Sequence, residues 1–297
     1  MNPFTLVQPE TLEEAIAALA TDDASVRPIA GGTALMLMMK SKLFVPEKLV
    51  SLHRLPANLR KIYIDESGEL HIGALVTLRS MELSPVVSAF DPVISDALRT
   101  LSNVRVRNVA TVGGHLAHGD PHMDLPPILM ALNAKVVIGS KAGSRTLPLM
   151  EFLLGYYTTA LQPGELITEV IVPARPREMS GAYLKYTALS ADDWPMANVV
   201  SYLQTNEDTI AEARIAVSAA TEKPIRLYDV ETFLKNQKLS AEVFADAAEL
   251  AVSNLRPLAD IRGSSGYKRE IVRVCVRRSL ERIPSSSMSD HGGFTHE

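Results

Sequence analysis

The sequence predicts an α+β protein in two domains. Its 297 residues correspond to about two domains at roughly 150 residues each. Helix-like and strand-like periodicities alternate over residues 1–176, and the polar stretch ARPREMSG then separates them from three closely spaced strand-like segments and three helical ones. The expected boundaries are 1–176, with subdomains of about 1–55 and 56–176, then 177–283, and a disordered tail over 284–297, where almost no apolar residue remains.

Each element has a local reason. Thr11 followed by Glu14 reads as a capping box that opens a helix with Leu12, Ala15, Ile16 and Leu19 on one face. A strand from Val26 to Ala30 runs into Gly31 and Gly32, after which Thr33 is expected to cap a second helix, ALMLMMKSK, with Met36, Met38 and Met39 as core. Residues 61–76 read as a hairpin around Asp65-Glu66-Ser67-Gly68, and helical patterns follow at 78–90 and 92–102. A second glycine pair sits in NVATVGGHLAHGDPHMDLPP. AKVVIG and SRTLPL form another strand pair, and Glu165 to Val172 a further strand. AYLKYTAL, MANVVSYLQT and TIAEARIAVSAA read as a three-stranded antiparallel meander, followed by helices near 224–236, 240–254 and 266–283.

Composition removes several function classes. Thirty Lys and Arg against 34 Asp and Glu leave a net charge of −4, which offers no footprint for a nucleic-acid backbone. Cys275 is the only cysteine, so neither an internal disulfide, a cysteine-ligated zinc nor a self-contained iron–sulfur cluster is available. No apolar run is long enough for a membrane span. Glu10, Glu13 and Glu14 stand where a signal peptide would be apolar, and a cytoplasmic protein is expected.

Two segments carry the chemistry. AGGTAL and TVGGHL both place a glycine pair between extended chain and a helix. Backbone without Cβ can turn its N–H groups toward an anion and let it approach, with help from the helix dipole. Either loop alone is equally well explained as a tight turn. Neither G-x-G-x-x-G nor a P-loop occurs, so a dinucleotide would be held without those fingerprints.

These segments, with IGALVTL, PGELITEVIVP, LKYTAL and DIRGSSGYKREIV, occur in an order that resembles the FAD-binding medium subunits of molybdenum hydroxylases, of the xanthine dehydrogenase and carbon monoxide dehydrogenase type. The resemblance implies a PCMH or vanillyl-alcohol-oxidase-type FAD fold of two subdomains, and behind it a C-terminal domain like that of carbon monoxide dehydrogenase flavoproteins. By matching positions, it implies that Ala30, Gly31, Gly32, Thr33, Ala34 and Leu35 surround the FAD pyrophosphate from one side, and Thr111, Gly113, Gly114 and His115 from the other. Asp124 falls near the ribose and pyrophosphate, Ile167 near the adenine and Lys185 near the isoalloxazine. His115 replaces the Asn or Asp of many relatives, which suggests an altered pH dependence, and Tyr186-Thr187-Ala188-Leu189 lacks the Arg that the family often has within a few residues of the lysine at position 185.

The function implied is electron transfer through FAD to an external acceptor, with no catalytic acid, base or nucleophile in this chain. The molybdenum cofactor and 2Fe–2S clusters would reside in a large molybdopterin-binding partner and a small iron–sulfur partner, in a heterotrimer or a dimer of heterotrimers. Two rivals remain: a stand-alone FAD-dependent oxidoreductase of the same fold, and a metal-dependent hydrolase using His115, His118, Asp120, His122 and Asp124. Against metal, Gly119 and Pro121 interrupt that run, and His118 and His122 are expected to be structural. Cys275 reads as a small buried residue, and Trp194 as either lining the flavin or capping the meander.

Overall fold

The computed structural model describes residues 2–176 and 178–283; the expected tail over 284–297 lies outside them. The chain forms two compact units, one running up to Asp120 and resuming over Asn133–Ala174, the other made of Pro121–Leu132 and the chain from Arg175 onward. Residues 121–132, expected with the first domain, therefore cluster with the C-terminal strands. The reason lies in the helix Leu125–Ala131, every residue of which is buried. A helix apolar on all sides needs cover all round.

In the first unit, Thr5–Val7, Lys48–Ser51 and Val26–Ile29 form a parallel three-stranded sheet with Lys48–Ser51 in the middle. The helix Leu12–Leu19 buries Ala15, Ile16 and Leu19 against Val26 and Val50. Its capping box is complete, with the Glu14 amide donating to Thr11 Oγ1 at 3.1 Å. The second sheet is antiparallel and five-stranded, in the order Ile62–Ile64, Leu70–Gly73, Leu166–Val172, Lys135–Ser140, Gly143–Pro148. Both expected hairpins are present, and Leu166–Val172 joins them by pairing with one strand of each.

The helical pattern at 78–90 is divided in two, Leu78–Glu82 and Pro85–Phe90. Pro85 has no N–H to continue a helix and is suited to the first position of a new one, which Ser84 caps. Further on, the buried Arg107 closes the chain reversal that leads to the second glycine pair. Its Nε donates to Glu82 at 2.8 Å, and one terminal nitrogen donates to the carbonyls of Leu101 at 3.1 Å and Ser102 at 2.5 Å. Burial raises the Glu82 pKa, but Arg79 and Arg107 outweigh it and hold the carboxyl below its ordinary value.

The second unit is built on an antiparallel sheet in which a short edge strand, Ile225–Arg226, extends the three expected ones, Met179–Thr187, Pro195–Asn206 and Thr209–Ser218. Pro195–Asn206 is buried over nearly its whole length, because it is covered on both faces. Asn198 reaches the Met123 carbonyl, whereas Ser201, three residues on and so on the opposite face, bonds Ser279 at 2.6 Å. Leu125–Ala131 thus covers one face, while Tyr228–Leu234, Ala241–Ser253 and Ser265–Glu281 enclose the larger core on the other. Cys275 lies in that core, and burial pushes its thiol up to about 11.

Removing Arg107 would leave the buried Glu82 carboxylate with Arg79 as its remaining ion-pair partner and free the carbonyls of Leu101 and Ser102, a loss of about 3 kcal/mol. Arg107→Met is expected to lower the thermal midpoint by about 10 °C, and adding Glu82→Leu should recover most of it. Differential scanning fluorimetry on both variants checks this.

Candidate functional site

The first glycine pair ends the strand Val26–Ile29 and opens the helix Thr33–Lys40. Gly32 is its cap residue, with φ 69°, and Thr33 is already the first helical residue, so that the helix starts one place earlier than the sequence suggests. Gly32 has no side chain with which to cap, and no side-chain bond closes this end. The first amides of a helix have no partner within it, so Thr33, Ala34 and Leu35 present N–H groups at its positive end. Of the helix's three methionines, only Met39 is buried.

The second pair is held differently. Thr111 caps its own helix, Val112–His118, accepting from the Gly114 amide at 3.2 Å. The Gly113 amide donates to the Ala74 carbonyl at 2.8 Å, and the Val112 amide to Val76 at 2.9 Å. A Cβ on Gly113 would lie 2.7 Å from that of Ala74, so the loop rests directly on the segment after Leu70–Gly73. The Ala74 amide in turn donates to the Thr168 carbonyl at 2.9 Å, where the strand register shifts between Ile167 and Glu169. Thr168, the neighbour of Ile167, is thus tied to the second loop through two backbone bonds.

The two loops touch. A Cβ on Gly31 would fall 2.0 Å from the Val109 carbonyl oxygen and 2.8 Å from Ala110 Cα, and one on Gly114 would come within 4.0 Å of Ala30 Cβ. Only backbone without a side chain can approach so closely.

His115 follows directly. The residue is partly buried, and its buried Nε2 atom has no hydrogen-bond partner within the described residues. Burial, helped by His118 and opposed by Asp120, drops its pKa to about 3. It is therefore a neutral imidazole at physiological pH. An orphaned polar atom beside a cradle made of glycine and open amides fits a polar, anionic ligand of the FAD kind. His118 stacks edge-on against Tyr157 at 5.0 Å, and the Tyr157 hydroxyl donates to Asp120 at 2.5 Å.

Asp124 and Lys185 lie in the other unit, where they meet. Lys185 Nζ is 3.2 Å from Asp124 Oδ2, and both side chains are almost fully buried. Tyr183, two residues before Lys185 on the same strand face, approaches Asp124 Oδ1 at 2.6 Å and Asn198 Oδ1 at 2.9 Å. Burial raises the Asp124 pKa despite the opposing pull of Lys185. Tyr183 and Asn198 were not singled out from the sequence, although the period-two spacing of Tyr183 and Lys185 was there to be read.

Nearby, Asp260 collects Lys268 at 2.8 Å, His122 at 3.4 Å and Arg262 at 3.7 Å. Burial works against its ionisation, but the Lys268 bond and the Arg262 amide bring its pKa down to about 2. His122 and Arg262 both contact the half-exposed Trp194 ring, at 5.8 Å each. The histidine-rich run forms no metal cluster among the described residues; a candidate grouping elsewhere in them is Asp65, Glu69 and His71.

An α+β flavoprotein with paired glycine turns is the class this architecture defines. The family described as "FAD binding domain in molybdopterin dehydrogenase" matches residues 2–175, and that described as "CO dehydrogenase flavoprotein C-terminal domain" matches 182–283. The chain belongs to this family of FAD-binding medium subunits of molybdenum hydroxylases. It is similar to the glyceraldehyde dehydrogenase medium chain of Sulfolobus acidocaldarius, with 31% identity over 94% of this chain and 98% of the relative. It is 34% identical to the nicotine 6-hydroxylase medium subunit of Paenarthrobacter nicotinovorans, over 92% of this chain and 94% of the relative. A solved structure of carbon monoxide dehydrogenase from Hydrogenophaga pseudoflava, lacking the Mo-pyranopterin moiety of its cofactor, superposes with TM-score 0.90 and 32% identity, covering 95% of this chain and 98% of that one.

Two outcomes follow from this geometry. Gly31→Ala drives a methyl into backbone and is expected to destabilise the protein and weaken flavin binding more than Gly114→Ala, which crowds only the Thr111 hydroxyl; thermal melts and flavin titrations rank them. The folded pKa of His115, about 3, lies below its ordinary 6.5. Its stabilising contribution is thus complete above pH 6.5 and lost as pH falls toward 3, by roughly 1.4 kcal/mol per unit. Between pH 7 and 5, urea unfolding should show His115→Asn losing about 2 kcal/mol less stability than the parent.

Proposed function

We propose that this chain carries one non-covalent FAD and passes electrons through it within a molybdenum hydroxylase. The observation that carries this is the contact between the two glycine turns, one of which leaves a helix N-terminus uncapped. In this reading Ala30, Gly31, Gly32, Thr33, Ala34 and Leu35 hold one side of the pyrophosphate, and Thr111, Gly113, Gly114 and His115 the other. Ile167 lies by the adenine, Asp124 by the ribose end and Lys185 by the isoalloxazine. Residues 1–176 form the FAD-binding part and 177–283 a separate C-terminal domain, a division supported by the change of family match between residues 175 and 182.

When bound, FAD supplies the reversible electron chemistry, and the protein supplies binding, orientation and electrostatics. The open amides of 33–35 offer fixed dipoles to an anion. Neutral His115 can donate or accept one hydrogen bond without changing charge. Lys185 brings a cation to the second part of the site. No side chain is required as acid, base or nucleophile.

Partners follow from what this chain lacks. Its single cysteine is buried in the second core, so electrons must come from clusters on another chain. Relatives are medium chains or subunits of dehydrogenases and hydroxylases. The partners proposed are a large molybdopterin-binding subunit and a small iron–sulfur subunit, in a heterotrimer or its two-fold dimer, through interfaces of at least about 1,000 Å².

The purified chain should be yellow, or become so with FAD, at one flavin per chain released by denaturation. A protein that stays colourless in excess FAD would overturn the proposal. The isolated chain should reduce its flavin slowly with any organic substrate and the reconstituted three-chain complex rapidly. Full turnover by the chain alone would instead establish a stand-alone oxidoreductase.

A further inference from the structure

One face of the five-stranded sheet is apolar and the other is not. Leu70, Ile72, Val170 and Val172 alternate along two neighbouring strands and are fully buried, so the residues between them turn to the opposite face. His71 stands there, paired with Tyr63 on one side and Ile171 on the other. Two residues along the chain from His71, Tyr63 and Ile171 come Glu69, Asp65 and Glu169. The period of the pleat therefore gathers three carboxylates and one imidazole on a single face.

One oxygen of Asp65, one of Glu69 and a ring nitrogen of His71 lie within 4.8 Å of one another. Asp65 Oδ1 is taken up by the turn, accepting from the Ser67 amide at 2.9 Å, the Ser67 hydroxyl at 2.8 Å and the Glu69 amide at 2.9 Å. Its Oδ2 faces His71 Nε2 at 3.3 Å. Glu169 Oε1 stands 3.2 Å from Nδ1, which is buried and makes no well-directed hydrogen bond. The ring lies flat on Tyr63, with centroids 4.7 Å apart and planes at 7°. Turning it over would set carbon against both carboxylates.

A charged imidazole clamped between two carboxylates does not account for this geometry. Such a ring draws its N–H···O contacts in to about 2.7–2.9 Å, and both contacts here are longer. Two ligands of a tetrahedral zinc, each about 2.0–2.1 Å from the metal, stand roughly 3.3–3.4 Å apart, which matches the spacing of Nε2 and Oδ2. Charge points the same way. Asp65, Glu69 and Glu169 are 33%, 30% and 26% exposed, and the ammonium set against them, Lys135, is 3.9 Å from Glu69. With a neutral ring, three carboxylates and one ammonium leave two negative charges, which a divalent cation cancels. The Tyr63 hydroxyl pKa is raised, first by burial and then by Glu169 and Asp65, as such a field requires.

We propose that Asp65, Glu69 and His71 bind one zinc ion through Asp65 Oδ2, a Glu69 oxygen and His71 Nε2, with water in the fourth position. Glu169 is the positioning residue: by taking the Nδ1 proton it turns the Nε2 lone pair to the metal, as carboxylates behind ligating histidines do. Imidazole nitrogen among the donors selects zinc over calcium and magnesium, which take oxygen shells. The part played by the ion is structural. It ties the turn at Asp65 to the strand Leu70–Gly73, and the next residue, Ala74, carries the second glycine loop.

Isothermal titration of zinc chloride into the full chain, first cleared of metal with a chelator, tests this. One zinc per chain is expected, weakened by about tenfold or more in Glu69→Gln, His71→Gln and Glu169→Gln. Zinc should raise the thermal midpoint of the parent and not that of Glu69→Gln, and excess magnesium should not displace it. Glu69 is partly exposed and its replacement spares the core, so that variant decides if His71→Gln folds poorly. No zinc bound, zinc bound as tightly by Glu69→Gln as by the parent, or zinc displaced by magnesium would overturn the proposal. The flavin-free chain gives the same readout, so a failure of FAD binding would leave the result standing.

Discussion

The first unit depends on one backbone contact, the approach of Gly31 to the chain at Val109 and Ala110. Any side chain at that position would lie inside the Val109 carbonyl, so the contact exists only because glycine stands there. Around it the rest is arranged in series. Arg107 ties down the reversal before Val109, the bonds from Gly113 and Val112 dock the second loop on residues 74–76, and Ala74 hands the connection to the strand Leu166–Val172. Most of these links use main-chain groups, whose geometry varies little with side-chain identity, and that makes the platform rigid.

The two loops look alike as sequences and differ as structures. The second is closed by the Thr111 hydroxyl and by bonds to the neighbouring sheet. The first ends in Gly32, which cannot cap, and leaves its helix end open. The division of labour follows from helix-terminus physics: the open end supplies donors, and the self-satisfied end supplies shape, together with the unpaired Nε2 of His115.

In the second unit, two carboxylate–lysine pairs shift their carboxyl pKa values in opposite directions. Asp260 and Lys268 form an ion pair in which the lysine is buried and the carboxyl reaches solvent, and this holds Asp260 ionised at about pKa 2. Asp124 also has a lysine partner, yet burial moves its pKa the other way. Proximity to a cation does not by itself decide ionisation; the degree of desolvation does.

Much of this was legible in the chain itself. The capping box at Thr11 and Glu14, the hairpins around Asp65–Gly68 and Lys141–Gly143, and the three long meander strands follow from local propensity and period, which depend only on neighbours in sequence. The glycine pairs and the order of the family segments likewise pointed to the cofactor class. Other features are set by partners distant in sequence. Strands as short as Thr5–Val7 and Lys48–Ser51 carry too little pattern to be seen and form because each completes a sheet. The helix Leu125–Ala131 joins the later sheet because it is apolar all round, and only the fold supplies a face for it. The surroundings of Asp124 are made by Tyr183, which contacts it directly, and by Asn198, which contacts Tyr183, residues 59 and 74 positions further along the chain, contacts that exist only once folding gathers them.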